Sequence, residues 1–309
     1  MKVGITMKKI GVIGLGGIAQ KAYMPVTMAM QDEVEWFLST RDPQKLEQLG
    51  KKYGITNLYT NYQDLFESGI EAVFIHTATH THSAMVEAAL NSGLHVFVDK
   101  PISENLAEVN ALFALAAEKG LILTAGFNRR YAPMVQQLKT IPNKRMIRVE
   151  KNRCNKPGAP LRFTIYDIFI HSLDTALYLL DDAIVTINSH ITTKDGGFAR
   201  ALVTIETATT TCVVTVNFEA GVNSEIMEVQ APEGTVRLDD LVDYKTYSGN
   251  QMTTTQFTDW ESTLYKRGFE SLIKDFIHSI EIGESPLTAE SIRLSHEICE
   301  QMLEKHDQK

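Results

Sequence analysis

The sequence is short of several things, and each shortage narrows what the protein can be. Among 309 residues there are three cysteines, Cys154, Cys212 and Cys299. They are far apart, odd in number and form no C-x-x-C pair, which argues against a disulfide framework and a cysteine-built metal or redox centre. No apolar run approaches the ~18 residues of a membrane span, and Met1–Lys9 has no stretch of signal-peptide length. Positive charge is not in excess: 30 Lys and Arg stand against 38 Asp and Glu, a net of −8. A nucleic acid or an anionic membrane as the main partner would need a basic face, so neither is expected. Internal repeats, low-complexity tracts and a flexible linker are missing too. The expected compartment is the cytoplasm. Met7, just before Lys8-Lys9, marks an alternative start, with residues 1–6 expected to fray.

What is present is ordered in two styles. At 309 residues the chain is about twice a usual domain length, and two domains are expected, residues 1–125 and 126–309. In the first, short apolar strands alternate with helical stretches. The strands are expected at Ile10–Ile13, Val34–Ser39, Asn57–Tyr59, Ala72–Thr77, His95–Val98 and Leu121–Ala125. Helical segments such as Pro43–Tyr53, Ser83–Ser92 and Leu106–Glu118 lie between them. This alternation predicts an α/β domain with a doubly wound parallel sheet. From Met146 onward β-branched runs dominate, at Met146–Lys151, Ile184–Thr193, Ala201–Thr207, Thr211–Phe218, Glu225–Ala231 and Thr235–Leu238, with turn signals at Asp195-Gly196-Gly197 and Glu233-Gly234. A mainly antiparallel open sheet is predicted there, interrupted by a helix over Phe163–Leu180 and closed by helices near Ser262–Ile282 and Thr288–Lys305. The second domain is therefore α+β.

The first strand runs directly into Gly14-Leu15-Gly16-Gly17-Ile18-Ala19, which fits G-x-G-x-x-A. Gly14 permits a tight turn, Gly16 lets the backbone approach a pyrophosphate, and Ala19 lets the following helix pack on the strand. The amides opening that helix, Gly17 and Ile18 among them, then face the phosphates. A tight turn without ligand is the alternative. After the second strand, where NAD-binding folds place a carboxylate for the ribose 2′-hydroxyl, this chain has Thr40 and Arg41. A hydroxyl and a guanidinium suit a 2′-phosphate, which points to NADP(H) over NAD(H). The plainer reading makes Arg41 a solvated loop residue and Asp42 the N-cap of the next helix.

Three further motifs complete the pattern: Val98-Asp99-Lys100-Pro101, Gly126-Phe127-Asn128-Arg129-Arg130-Tyr131, and Asp167-x-x-x-His171-x-x-Asp174. With the glycine turn they resemble the Gfo/Idh/MocA oxidoreductases, and with Lys266-Arg267-Gly268-Phe269 the MviM-like branch of that family. The resemblance runs from Lys8 to the last helix. It implies a Rossmann domain, an α+β domain whose open sheet makes a homodimer or larger homo-oligomer, and hydride exchange between NAD(P)(H) and a sugar, polyol or related hydroxyl–carbonyl pair. Three positions depart from the pattern: Asp99 stands for the usual glutamate, Thr77-Ala78 for Thr-Pro, and Arg162–Tyr166 for a glycine-rich run.

On that resemblance Lys100 and His171 are expected to be catalytic. Lys100 ends a parallel strand, where open α/β sheets bind ligands, and a cationic nicotinamide beside it favours the neutral amine. Asp167, His171 and Asp174 share one helix face by spacing and are expected to bind substrate, and the resemblance carries Asp167 and His171 over as a substrate-binding and catalytic pair. A capped helix with a structural His171–Asp174 contact is the alternative. Thr77 and His82 are expected beside the cofactor, Arg129 and Arg153 are expected to bind substrate, and Arg129 and Arg130 could touch either the cofactor or an anionic substrate group. Arg130 and Arg162 are weighed likewise, against a simple solvated or ion-paired role. His76, His80 and His82 form H-x3-H-x-H, but no fourth ligand is evident and no metal is expected. The aromatics Tyr244, Tyr247, Phe257 and Trp260 fit sheet or oligomer packing. Two other functions suit the same scaffold: a sensor that holds the dinucleotide without turnover, and an NAD-dependent glycosidase.

Overall fold

A computed structural model describes residues 7–154 and 157–308. The extension expected to fray lies outside them. By contacts the described chain forms two compact units, Met1–Gly126 with Leu272–Ile292, and Phe127–Ser271 with Arg293–Lys309.

The first unit holds six strands: β1 (Lys8–Ile13), β2 (Val34–Ser39), β3 (Leu58–Tyr59), β4 (Ala72–Ile75), β5 (His95–Val98) and β6 (Leu123–Ala125). They pair in the order β3-β2-β1-β4-β5-β6, each pairing parallel. The central strands are buried on both faces and are correspondingly apolar throughout, as in Ala72–Ile75. The sequence order reverses between β1 and β4, which leaves a crevice at the carboxyl ends of those strands. Asp42 accepts from the Lys45 amide at 3.0 Å and so caps the helix Pro43–Tyr53. The late segment Leu272–Ile292 joins this unit because Phe276 sits against Phe74 and Phe97, with ring centroids 5.1 and 5.5 Å away. Full burial of such a ring stabilises by about 1.5–3 kcal/mol.

The second unit holds an eight-stranded sheet: β7 (Met146–Asn152), β8 (Ile184–Lys194), β9 (Gly197–Thr207), β10 (Thr211–Asn217), β11 (Ser224–Ala231), β12 (Gly234–Asp239), β13 (Asp243–Ser248) and β14 (Gln251–Thr255). The order is β14-β13-β12-β11-β7-β10-β9-β8. Only β7 and β10 pair in parallel. Asp195 and Gly196, with φ of 52° and 80°, make the two-residue turn between β8 and β9, the turn type that matches strand twist. One sheet face lies under the helix Ile170–Leu179, while β7, β10 and β11 bury alternate residues.

Three local features differ from the sequence reading. β13 and β14 are added strands; β14 is exposed throughout, so no apolar alternation announces it. The helix expected over Ser262–Ile282 is two, Thr263–Lys266 and Phe269–Ile282, broken where Gly268 packs against the Asn128 carbonyl. The helix around Asp167 contains a π turn over Ile165–Phe169, which inserts a residue and alters the simple four-residue spacing.

Candidate active site

In the first unit the glycine turn opens onto a cleft of about 630 Å³ lined by Gly14, Gly16, Ser39, Thr40, Arg41 and Thr77 among others. Gly14 has φ of +86°, and a Cβ there would lie 2.6 Å from the His76 carbonyl carbon and the Thr77 nitrogen. Close packing of β1 on β4 therefore demands glycine. Gly16 and Gly17 are different: a Cβ on either would meet nothing within 4 Å. The protein itself does not need their smallness, so what they leave is approach room for a ligand backbone such as a pyrophosphate. Ala19 is wholly buried and Ile18 is exposed. Arg41 is exposed at the cleft, and its guanidinium makes no hydrogen bond or ion pair within the described residues. These residues fit a nicotinamide dinucleotide: the turn and the following helical run would hold its phosphates, and Thr40 and Arg41 its adenosine ribose.

Behind the cleft, the Tyr23 hydroxyl donates to Asp99 Oδ1 at 2.7 Å, and its ring stacks on His76 with centroids 3.9 Å apart. Burial pushes both the Tyr23 hydroxyl and the Asp99 carboxyl up, with Lys100 opposing the latter. Burial, with His82 nearby, holds the His76 imidazole down to about 3. His82 Nδ1 lies 2.7 Å from the Pro101 carbonyl oxygen and Nε2 lies 3.0 Å from that of Thr77. Its ring thus ties the cleft wall at Thr77 to the turn carrying Lys100, and both nitrogens face acceptors rather than a metal. Among the described residues no three His, Cys, Asp or Glu side chains are placed to hold a metal ion. Lys100 is half-buried. Neither it nor His82 lines the cleft.

In the second unit a buried charge cluster surrounds His171. Arg129 grips the Glu225 carboxylate through Nε and Nη2, the latter at 2.9 Å, and points Nη1 at His171 Nδ1 from 2.8 Å. A guanidinium only donates, so His171 Nδ1 accepts and the neutral ring carries its proton on Nε2. Lys151 completes the set with Nζ 3.1 Å from Glu225 Oε2. Glu225 and Lys151 are directly opposite on β11 and β7. The neighbouring Arg129 and Lys151 cations hold the Glu225 carboxyl far down, overcoming burial that pushes it up. Burial together with Arg129 and Arg153 lowers the Lys151 amine to about 7, despite the pull of Glu225.

Two expected ligand contacts are committed elsewhere. Asp174 is buried, accepts from Arg130 Nε at 2.8 Å and from Ser295 Oγ at 2.8 Å, and so anchors the last helix rather than facing a ligand. Arg129 is likewise buried, acting through His171 and Glu225. Arg162 bonds Glu300 at 2.8 and 2.9 Å on the surface. Arg153 stays half-buried at the end of β7. Lys151 and Glu225 were missed by sequence reasoning although a signal existed. Each occupies an inward position in an alternating strand, after Ile147 and Val149 in one and before Met227 and Val229 in the other.

Comparison with known proteins gives consistent findings. Residues 8–127 match the model of an oxidoreductase family with an NAD-binding Rossmann fold, GFO_IDH_MocA, and residues 133–249 match the YceM-like C-terminal domain. YceM of Salmonella typhimurium is 33% identical over 289 residues, covering 91% of this chain and 92% of that protein. A Gfo/Idh/MocA family oxidoreductase from Vibrio cholerae has a TM-score of 0.88 at 31% identity over 97% of this chain and 99% of the other. The MviM dehydrogenase from Clostridium difficile has a TM-score of 0.91 at 26% identity, covering 97% and 100%. Shorter matches include a Thermotoga maritima myo-inositol 2-dehydrogenase, 30% identical over 57% of this chain and 56% of that one, and an NADP-dependent D-xylose 1-dehydrogenase from Haloferax volcanii, 28% identical over 41% and 39%.

Proposed function

We propose, since the chain belongs to the Gfo/Idh/MocA oxidoreductase family, that it moves hydride between a nicotinamide dinucleotide held at the glycine-turn cleft and a hydroxyl-bearing carbon of a sugar or polyol. The carrying observation is the glycine turn opening onto the cleft, with Gly16 and Gly17 facing space that no protein atom fills. When bound, the nicotinamide supplies the hydride acceptor or donor. NADP(H) is the preferred form, because Thr40 and Arg41 line the cleft where a carboxylate would otherwise meet a 2′-hydroxyl. The partial relatives carry names for both a polyol and an aldose dehydrogenase, which supports a small carbohydrate-like substrate.

The proton leaving the hydroxyl as the carbonyl forms needs a group with a lone pair. His171 has its Nδ1 lone pair committed to Arg129, and a neutral ring protonated at Nε2 donates a hydrogen bond but takes no proton. Lys100 is then the group assigned to exchange the proton, with His171 assigned to hold the substrate oxygen. Asp167 orients a neighbouring hydroxyl or the ring. The half-exposed sheet face of the second unit is the surface proposed for a second copy. A panel of sugars, polyols and sugar acids, screened with both cofactors at the reduced-nicotinamide absorbance band, tests the activity. A change with at least one member is expected; aglycone release without absorbance change would replace the reading with glycosidase chemistry.

A further inference from the structure

The polar cluster of the second unit has more positive charge than its own carboxylates offset. Arg129 and Arg153 repel both Lys151 and Arg267, while Glu225 draws both and Asp240 draws Arg267. Asp240 joins them at the edge, its Oδ1 accepting from the Glu225 amide at 2.8 Å. Glu225 is already saturated by Arg129 and Lys151. Arg130 is matched by Asp174 and adds nothing to the excess.

Arg153 and Arg267 are the unmatched pair. Both are half-buried, and neither guanidinium makes a hydrogen bond or ion pair within the described residues. Their placement comes from the backbone. Arg153 follows β7 directly, its amide bonded to the Asn217 carbonyl at 2.8 Å, while the Arg267 carbonyl accepts from Asn128 Nδ2 at 2.7 Å. Asn128 adjoins Arg129, so Arg267 is held beside the group that bonds His171. Burial, and then repulsion from Arg129 and Arg153, lowers the Arg267 guanidinium. Neither guanidinium is bonded to a carboxylate, and Glu225 and Asp240 only partly offset burial and repulsion at Arg267; two half-desolvated guanidiniums near each other are an unfavourable arrangement that an anion relieves, and a planar fork binds carboxylate or phosphate oxygens in pairs.

We propose that Arg153 and Arg267, backed by Lys151, form an anion subsite beside His171, and that the substrate is an anionic carbohydrate bearing a carboxylate or phosphate group rather than a neutral polyol. This rests on the reading of His171 as the residue facing the reacting oxygen. The excess charge is local, since the whole chain carries a net of −8, so it is not a consequence of composition.

The test needs no knowledge of the true substrate. D-gluconate, D-glucose 6-phosphate and neutral D-glucitol are titrated into the full-length protein saturated with NADPH, with binding read by calorimetry and melting temperature. At least one of the two anions is expected to bind at millimolar concentration or tighter and to raise the melting temperature, with D-glucitol at least tenfold weaker. Gluconate alone assigns a carboxylate, the phosphate alone assigns a phosphoryl group. Arg153→Gln and Arg267→Gln, made singly because both side chains are half-exposed, should each weaken the anion at least tenfold and leave NADPH affinity within a few-fold. Equal binding of D-glucitol, no binding of either anion up to about 20 mM, or anion binding untouched in both variants overturns the subsite. Failure to bind NADPH overturns the proposed function instead, and is seen in a separate titration.

Discussion

The two units build polar sites by opposite means. In the first, the cleft is made of backbone and small side chains: Gly14 is forced by packing against β4, and Gly16 and Gly17 are small although the protein does not crowd them. In the second, the site is made of long charged side chains buried against one another, Arg129, Glu225 and Lys151. A site of the first kind shapes space for a ligand and contributes little to stability. A site of the second kind is part of the core, and removing one charge strands the others. Binding and folding should therefore separate in the first unit and stay coupled in the second.

The largest expected effect is on turnover. Lys100→Ala should lower it by about 10²–10⁴, the usual range for a proton-transfer group, with NADPH affinity within a few-fold. His171→Ala should fall as far or less, and its loss should not remove the acidic limb of the pH–rate profile for hydroxyl oxidation, which reports the base, if Lys100 takes the proton. A profile that loses that limb with His171 and keeps it without Lys100 would reverse the assignment. Next comes stability: Glu225→Gln leaves Arg129 and Lys151 buried without a full counter-charge and should cost about 3–5 kcal/mol in denaturant unfolding. A loss below 1 kcal/mol, on the scale of exposed pairs, would make the cluster solvated and erase the contrast between the units.

Smaller effects sharpen the same contrast. Arg41→Ala should weaken NADPH more than NADH by about 1.5–3 kcal/mol, one charge-assisted contact; equal weakening in fluorescence titrations rejects the 2′-phosphate role. The smallest concerns Lys151, lowered to about 7 in the folded state from an ordinary 10.5. Between those values the unfolded chain binds more protons, so this group makes stability rise with pH across that window. Lys151→Met should flatten the rise in melting temperature between pH 7 and 9, and an unchanged slope would contradict the lowering.

How much of this was legible in the sequence follows the same division. The glycine turn, the parallel strands and the Asp42 cap follow from local rules, because φ, spacing and capping act between residues close in sequence. The buried cluster joins Arg129 to a carboxylate 96 positions away, and nothing local pairs them. Only the charged residues at inward strand positions, Lys151 and Glu225, left a trace. The π turn at Asp167 and the exposed strand β14 left none, since neither has a distinctive apolar pattern. Asp174 read as a ligand contact by helix spacing, but its partner Ser295 comes from the last helix, beyond the reach of that argument.

The central claim is that the glycine-turn cleft holds the nicotinamide dinucleotide, and a paired fluorescence titration of NADPH and NADH tests it without any substrate. The unmodified protein should bind both saturably, NADPH more tightly. Gly16→Val should abolish binding while leaving the circular dichroism and melting temperature unchanged, because the new side chain enters open space. Saturable binding that survives in Gly16→Val, or none in the unmodified protein, would contradict the account.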